Sequence, residues 1–514
     1  MSQHSLLGAF RQIGLLTGMS RILGFVRDVA FATFLGAGPL ADAFLVALKL
    51  PNMFRRLSAE GALTNAFVPS FSKTRAADGN DAAMQLAAEV QILLTLVLLV
   101  IVGLAEFFMV DLVGLLAPGF VATPERFTAA VALGRVTMPY LPLISLVALW
   151  SAIANAHDHF AAGAIMPVFF NLCLIAGAMA LPVMAAGEVV TSAMPLAVAL
   201  LVAGIIQLAV MFVILRRFGG TPVWILPRLS AAGRAMWRKF TPAALAATAM
   251  QVNMLVDLIL ASLLPVGAIS WLYYADRIVQ LPLGIIGIAL GTALLPKLSK
   301  AEATQDQASV NAILNDGIGL GGFFVIPAVT AMICIAEPII SGLFAYGAFS
   351  TADATVTALA LQAYALGLLG FVATRLFQPA FYAAGQPTTV LKVSLCAVLV
   401  NIAGSLLLMR IFGHVGLAIA TSFSGVMAAL ILGILLVRSG KLVQMPFAVL
   451  GKICLASACM AAGLLGTRQA MTDLPNALAL ALLVVVGAVI YIAASVVLKT
   501  IPDGILRRTA SRGA

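Results

Sequence analysis

Charge is what this chain of 514 residues has least of. Asp, Glu, Lys and Arg make up only 10% of it, against roughly 25% in a soluble domain, which excludes an ordinary water-soluble globule. Histidine is scarce too: His157-Asp-His159 has no further His or Cys beside it, so solvated loop residues are expected there, not metal ligands. The five cysteines (Cys173, Cys334, Cys396, Cys454 and Cys459) all lie in apolar stretches. They show neither metal-ligand spacing nor a disulfide framework and are expected to be buried and inert. No GxxxxGK[ST] loop occurs, so the chain holds no ATP motor. No Ser/His/Asp arrangement stands out, so it is read as a non-enzyme without cofactor or bound metal.

What is abundant is hydrocarbon. Hydrophobic residues reach 62% and the mean hydropathy is +1.09. The apolar runs are long enough for helices crossing a core that needs about 20 residues, and the short alternating segments of a membrane barrel are absent. The expected fold is all-α and polytopic, with fourteen spans: 6–35, 39–72, 83–113, 129–155, 161–184, 190–218, 231–264, 271–300, 309–345, 350–382, 387–411, 415–438, 445–468 and 475–499. Residues 1–35 read as a first span, not as a cleaved leader.

The net charge of +10 does not imply nucleic acid, because the basic residues gather in alternate loops. Lys73 and Arg75, Arg216 to Lys239, Lys297 and Lys300, Arg438 and Lys441, and the basic tail fall on one side. Opposite loops carry little beyond Arg126, Arg410 and Arg468. The positive-inside rule then puts both termini in the cytoplasm.

Five basic residues break the apolar pattern inside the first two spans: Arg21, Arg27, Lys49, Arg55 and Arg56. Only Asp28, Asp42 and Glu60 offset them. Arg21, Gly24 and Asp28 share one helix face; Asp42, Lys49 and Arg56 recur at seven-residue steps, with Glu60 one turn further on. Pairs such as Arg21–Asp28, Lys49–Asp42 and Arg56–Glu60 could tie helices together. They leave positive charge over, and an Arg at the membrane centre costs roughly 2.5–3.5 kcal/mol, so a water-filled cavity that holds an anion is expected. Pro51 should bend span 2. The second half adds Asp276, Arg277 and Arg375, and a solitary Asp257 in span 7. Asp257 is a weak candidate for Na⁺, with Asn401, Ser405 and Thr421 as possible oxygen donors.

A faint parallel repeat links span 2 to span 8. Pro69-Ser-Phe-Ser-Lys73 matches Pro296-Lys-Leu-Ser-Lys300, and Leu50-Pro51 matches Leu281-Pro282. Duplicated six-span halves are an arrangement of transporters with a central site.

The stretches SRILGFVRD, GPLADAFLVALKLPNMFRRLSAEGALTNAFVP, APGF (117–120), SWLYYADR and LGTALLPKLSK closely resemble the MurJ (MviN) family, bacterial lipid II flippases of the multidrug/oligosaccharidyl-lipid/polysaccharide exporter superfamily. The resemblance implies two six-helix lobes (1–220 and 221–440) in a V around a cationic cavity, then an extra helix pair and basic tail (441–514). It implies that Arg21, Arg27, Arg55 and Arg277 bind the lipid II diphosphate, with Asp28, Asp42, Lys49, Arg56, Glu60, Asp276 and Arg375 as supporting charges. Gln280 departs from relatives that are acidic there. The implied activity is transfer of this peptidoglycan precursor across the inner membrane, driven by membrane potential or an ion gradient. The implied partners are lipid II, membrane lipids and cell-wall synthesis proteins, with a monomer sufficient. The alternative is another polyprenyl-diphosphate glycan carrier or exporter of the same superfamily.

Overall fold

The structure is a computed structural model describing residues 3–58, 62–184, 192–227, 229–471 and 473–502; side chains of 3–11, 54–58, 62, 64, 65, 239, 242–250, 288, 289 and 292 are outside the description. All regular structure among the described residues is helical. The chain divides into two compact units, Met1–Ser270 and Trp271–Ala514.

Unit 1 contains α1 (Gln3–Leu35), α2 (Pro39–Ser58), α3 (Ala62–Phe107), α4 (Met109–Leu116), α5 (Pro124–Thr137), α6 (Tyr140–Ala156), α7 (Ala161–Ala164), α8 (Met166–Met184), α9 (Met194–Arg217) and α10 (Ala231–Ser262). Helix α1 packs on α8, α2 on α5, α3 on α6 and α10, and α9 on α6 and α8. Helix α3 is interrupted at Gly79, whose φ of 89° is a conformation that favours glycine. The segment before it belongs with span 2 and the segment after it is span 3.

Pro51 lies within α2 and has no N–H for the carbonyl of Ala47, four residues back. The hydroxyl of Thr137, on the neighbouring α5, donates to that carbonyl at 3.0 Å. A polar side chain from another helix thus replaces the bond that proline removes, which is how a membrane helix tolerates proline.

Unit 2 follows with α11 (Ala268–Pro282, beginning at the end of unit 1), α12 (Ile288–Ala303), α13 (Gln307–Cys334), α14 (Ala336–Phe344), α15 (Thr351–Ala383), α16 (Pro387–Phe412), α17 (His414–Arg438), α18 (Phe447–Gln469) and α19 (Asn476–Val497). Helix α15 is central, packing on α12, α13, α14 and α17. A Cβ at Gly370 would come within 2.5 Å of the Val426 backbone nitrogen, so α15 and α17 approach closely only because that side chain is missing. Pro282 is followed by a π-helical turn, Leu283–Gly287, that joins α11 to α12; proline and π turns are the usual causes of a helix break. The pair α18 and α19 packs on α13 and α14, and Tyr491 donates to the Phe323 carbonyl at 2.6 Å. Between α12 and α13, Asp306 caps α13, accepting from the Ser309 amide and hydroxyl. These bonds hold its carboxyl below the ordinary value of 3.8.

Ten described helices are long and apolar enough to cross a membrane. They account for ten of the fourteen expected spans. The remaining four are 6–35, 39–72, 231–264 and 271–300. The first, second and fourth of these carry the intramembrane Arg, Lys and Asp residues, and in all four some side chains lie outside the description.

Candidate functional site

Two sets of charged side chains are built in unit 1. The first sits on α1. Arg27 is 8% exposed, and its guanidinium donates to Asp28 Oδ1 from Nε at 3.0 Å and Nη2 at 2.7 Å. Its Nη1 donates to Asn171 Oδ1 of α8 at 3.0 Å, while the Asn171 amide donates to the Ser20 carbonyl. The rings of Phe31 and Phe170 lie 5.6 and 5.7 Å from the guanidinium carbon. Arg27 is therefore held in one orientation, against an aromatic wall and largely buried, where charge-assisted bonds are strong. Arg21 is exposed. Helical spacing puts Arg21 and Asp28 on one face, but the adjacent Arg27 takes the carboxylate.

The second set surrounds Asp42, which is 0% exposed. Its Oδ2 accepts from Arg126 Nη1 at 3.2 Å and the Gly267 amide at 2.8 Å. Its Oδ1 accepts from the Ser270 amide at 3.0 Å and the Ser270 hydroxyl at 2.7 Å. Gly267 has a φ of 95°, and this turn aims the first amides of α11 at the carboxylate. A helix N-terminus is a natural anion site because its leading N–H groups lack helical acceptors. Arg126, 3% exposed, is fixed by its bond to Thr123 Oγ1 at 2.9 Å and lies 4.3 Å from the centre of the Phe120 ring.

The APGF segment completes this clasp. A Cβ at Gly119 would sit 2.0 Å from the Ser262 carbonyl oxygen, and the Gly119 amide donates to Ser262 Oγ at 3.3 Å. The starts of α2, α5 and α11 thus meet through Asp42 and Arg126, and Gly119 adds the end of α10. The Lys49–Asp42 pairing that spacing suggests is replaced by Arg126, 84 residues away in sequence. Lys49 is exposed, and Arg55, Arg56 and Glu60 lie outside the described side chains.

In unit 2, Arg277 lies over the Tyr273 ring at 4.6 Å. Asp276 Oδ1 accepts from Gln280 at 3.3 Å, so the neutral residue at 280 acts as a donor to the carboxylate before it. Arg375 is exposed, with its Cδ 2.8 Å from where a Cβ on Gly287 would be; its stem crosses the π turn. Asp257, on α10 of unit 1, accepts from Asn253 at 3.4 Å. Asn401 and Ser405 are buried on α16 of unit 2, and Thr421 donates to the Leu417 carbonyl.

Two other expectations change. Cys396, Cys454 and Cys459 are exposed, not buried, because they lie on outer faces of α16 and α18. His157 is half-buried instead of fully solvated, whereas His159 is exposed as expected; both rings lie against Phe218, at 5.2 and 4.5 Å, and His157 Nε2 is 3.3 Å from Asn80 Oδ1. Among the described residues no His/Cys/Asp/Glu group has metal-binding geometry. Sequence reasoning missed Asn171, Arg126 as a buried cation, and Thr137.

Long apolar helices with ionised residues confined to a few of them define a polytopic membrane protein. The fold is shared with a solved structure titled as the inward-facing conformation of a multidrug resistance MATE family transporter of the MOP superfamily, which superposes with a TM-score of 0.67 at 16% identity, covering 82% of this chain and 94% of its own. The family is narrower. The "Lipid II flippase MurJ" model matches residues 31–502, and the chain belongs to that family. A probable lipid II flippase MurJ of Rhizobium tropici is 35% identical over 99% of this chain and 97% of its own length. One of Rickettsia prowazekii (strain Madrid E) is 36% identical over 80% of each. A solved structure titled "Lipid II flippase MurJ, inward closed conformation" matches with a TM-score of 0.79 at 26% identity, covering 94% of this chain and 98% of that one. The protein is accordingly a multi-pass protein of the bacterial inner membrane.

Proposed function

We propose that this protein flips lipid II from the inner to the outer leaflet by alternating access, with its arginines holding the diphosphate. The observation that carries this reading is Arg27: a guanidinium oriented by Asn171 and two aromatic rings in a chain whose family carries lipid II. A diphosphate cannot enter hydrocarbon without losing hydration worth many kcal/mol. Guanidinium groups at Arg21, Arg27, Arg55 and Arg277 replace that hydration with bidentate bonds, and Lys49, Arg56, Asp276 and Arg375 adjust the field. The polyprenyl tail stays in lipid.

Asp28 has a role in turnover. It occupies Nε and Nη2 of Arg27, so the incoming diphosphate must displace it, and its return expels the diphosphate. The Asp42 clasp ties the starts of α2, α5 and α11. With both termini cytoplasmic, those helix starts face the periplasm, and the clasp must open for outward release. The lobes of this cycle are 1–220 and 221–440, with 441–514 as the accessory pair and tail. Membrane potential supplies the energy, at about 2.3 kcal/mol per charge per 100 mV; Asp257 is the candidate Na⁺ ligand. One copy of the chain suffices, and no bond is made or broken.

The test is lipid II binding to purified protein by native mass spectrometry. Arg27→Ala and Arg277→Ala should each weaken binding about tenfold or more, the loss of one charge-assisted contact. Equal binding by all three proteins would refute the arginine site.

A further inference from the structure

A groove of about 370 Å³ opens between α1, α9 and the 158–165 segment of unit 1, apart from the arginine and Asp42 constellations. Leu16, Ile165 and Ile214 form an apolar wall; Asp158 and His159 stand on its rim. The rim is rigid. Asp158 is held at a φ of 64°, a conformation rare for a residue with a side chain but tolerated by Asp. The His159 ring stacks on Phe218, 4.5 Å away at an interplanar angle of 23°, and its amide is bonded to the Ala154 carbonyl. Arg217, exposed in the last turn of α9, is three residues beyond Ile214 and so shares its flank of the helix.

An apolar wall with a carboxylate and an imidazole at its edge, and a guanidinium one turn along α9 from Ile214, is complementary to a zwitterionic amphiphile. We propose that this groove binds an aminophospholipid, with its primary ammonium on Asp158, its phosphate on His159 and Arg217, and an acyl chain along Leu16, Ile165 and Ile214. An ammonium with three N–H donors satisfies a carboxylate; a quaternary choline cannot donate, and a glycerol headgroup carries no positive charge to offset Asp158. Ala161, which also lines the groove, leaves room for the chain.

Native mass spectrometry in micelles with equal mole fractions of phosphatidylethanolamine, phosphatidylcholine and phosphatidylglycerol reads this directly. Wild type should retain phosphatidylethanolamine in preference to the other two. Asp158→Asn should lower its retention by up to about fivefold, the upper end for one exposed ionic contact, without lowering phosphatidylglycerol retention. Ala161→Leu, which fills the groove, should reduce all three. Unchanged lipid II binding by both variants checks that they are folded. No ethanolamine preference in wild type, a preference for phosphatidylglycerol, or a preference that survives Asp158→Asn would each overturn the assignment.

Discussion

Asp42 and Arg126 form a buried ion pair, 3.2 Å apart, that joins the start of α2 to the start of α5 and, through the other bonds of Asp42, to the start of α11. Both charges are removed from water, so neither tolerates loss of the other: breaking a buried pair by deleting one partner costs about 3–5 kcal/mol. Asp42→Ala should therefore release the Gly267 and Ser270 amides. Their hydrogen-exchange protection should fall by about two decades or more, since each 1.4 kcal/mol is tenfold. Protection equal to wild type would mean that the carboxylate does not hold this turn.

In the proposed site, Asn171 would act on substrate only through Arg27, whose Nη1 it holds. Asn171→Leu should weaken lipid II binding about tenfold or more, as expected for one lost hydrogen bond to a charged group, yet have no further effect in an Arg27→Ala background. Additive losses would contradict the positioning role. Asp28→Asn should do the reverse, tightening lipid II binding while slowing its release, because the competing carboxylate charge is gone.

The bond from Thr137 to the Ala47 carbonyl exists because residue 51 is proline. Thr137→Val should lower thermal stability in detergent by the cost of an unsatisfied buried carbonyl, about 1–3 kcal/mol. In a Pro51→Ala background the backbone N–H returns, and Thr137→Val should then cost less. The same loss in both backgrounds would break the link between the two residues.

Asp306 supplies a pH dependence. Its folded value is below 3.8, so the unfolded chain binds the proton more readily. Its stabilisation is fully present above 3.8 and is lost as pH falls through the lower folded value. Asp306→Asn should thus be less stable than wild type at pH 5, with the gap closing on acidification. A gap that widens toward acid would contradict the cap.

The span pattern was legible because apolar length is a local property; the ten helices apolar enough to cross a membrane each coincide with an expected span. The breaks were less so. Pro51 was visible as a potential bend, but it stays within α2 with help from Thr137, a partner 86 positions away, whereas the break after Pro282 was not read from the sequence. The charge surplus pointed to Arg27, whereas Asn171 is one neutral residue in an apolar run and carries no signal until α8 is packed on α1. Arg126 read as an ordinary loop charge because nothing nearby in sequence reveals the Asp42 carboxylate. Long-range polar pairing depends on topology, and spacing along one helix predicted the wrong partners for both Asp28 and Asp42.

The most direct test of the account is replacement of the native flippase in a bacterium depleted of its own, with outer-leaflet lipid II scored in the same cells. Wild type should restore growth and outer lipid II, while Arg27→Ala and Arg277→Ala, at equal expression, should restore neither. Full rescue by either arginine variant would contradict the cationic site. Failure of correctly inserted wild type to bring lipid II to the outer leaflet would contradict the proposed substrate.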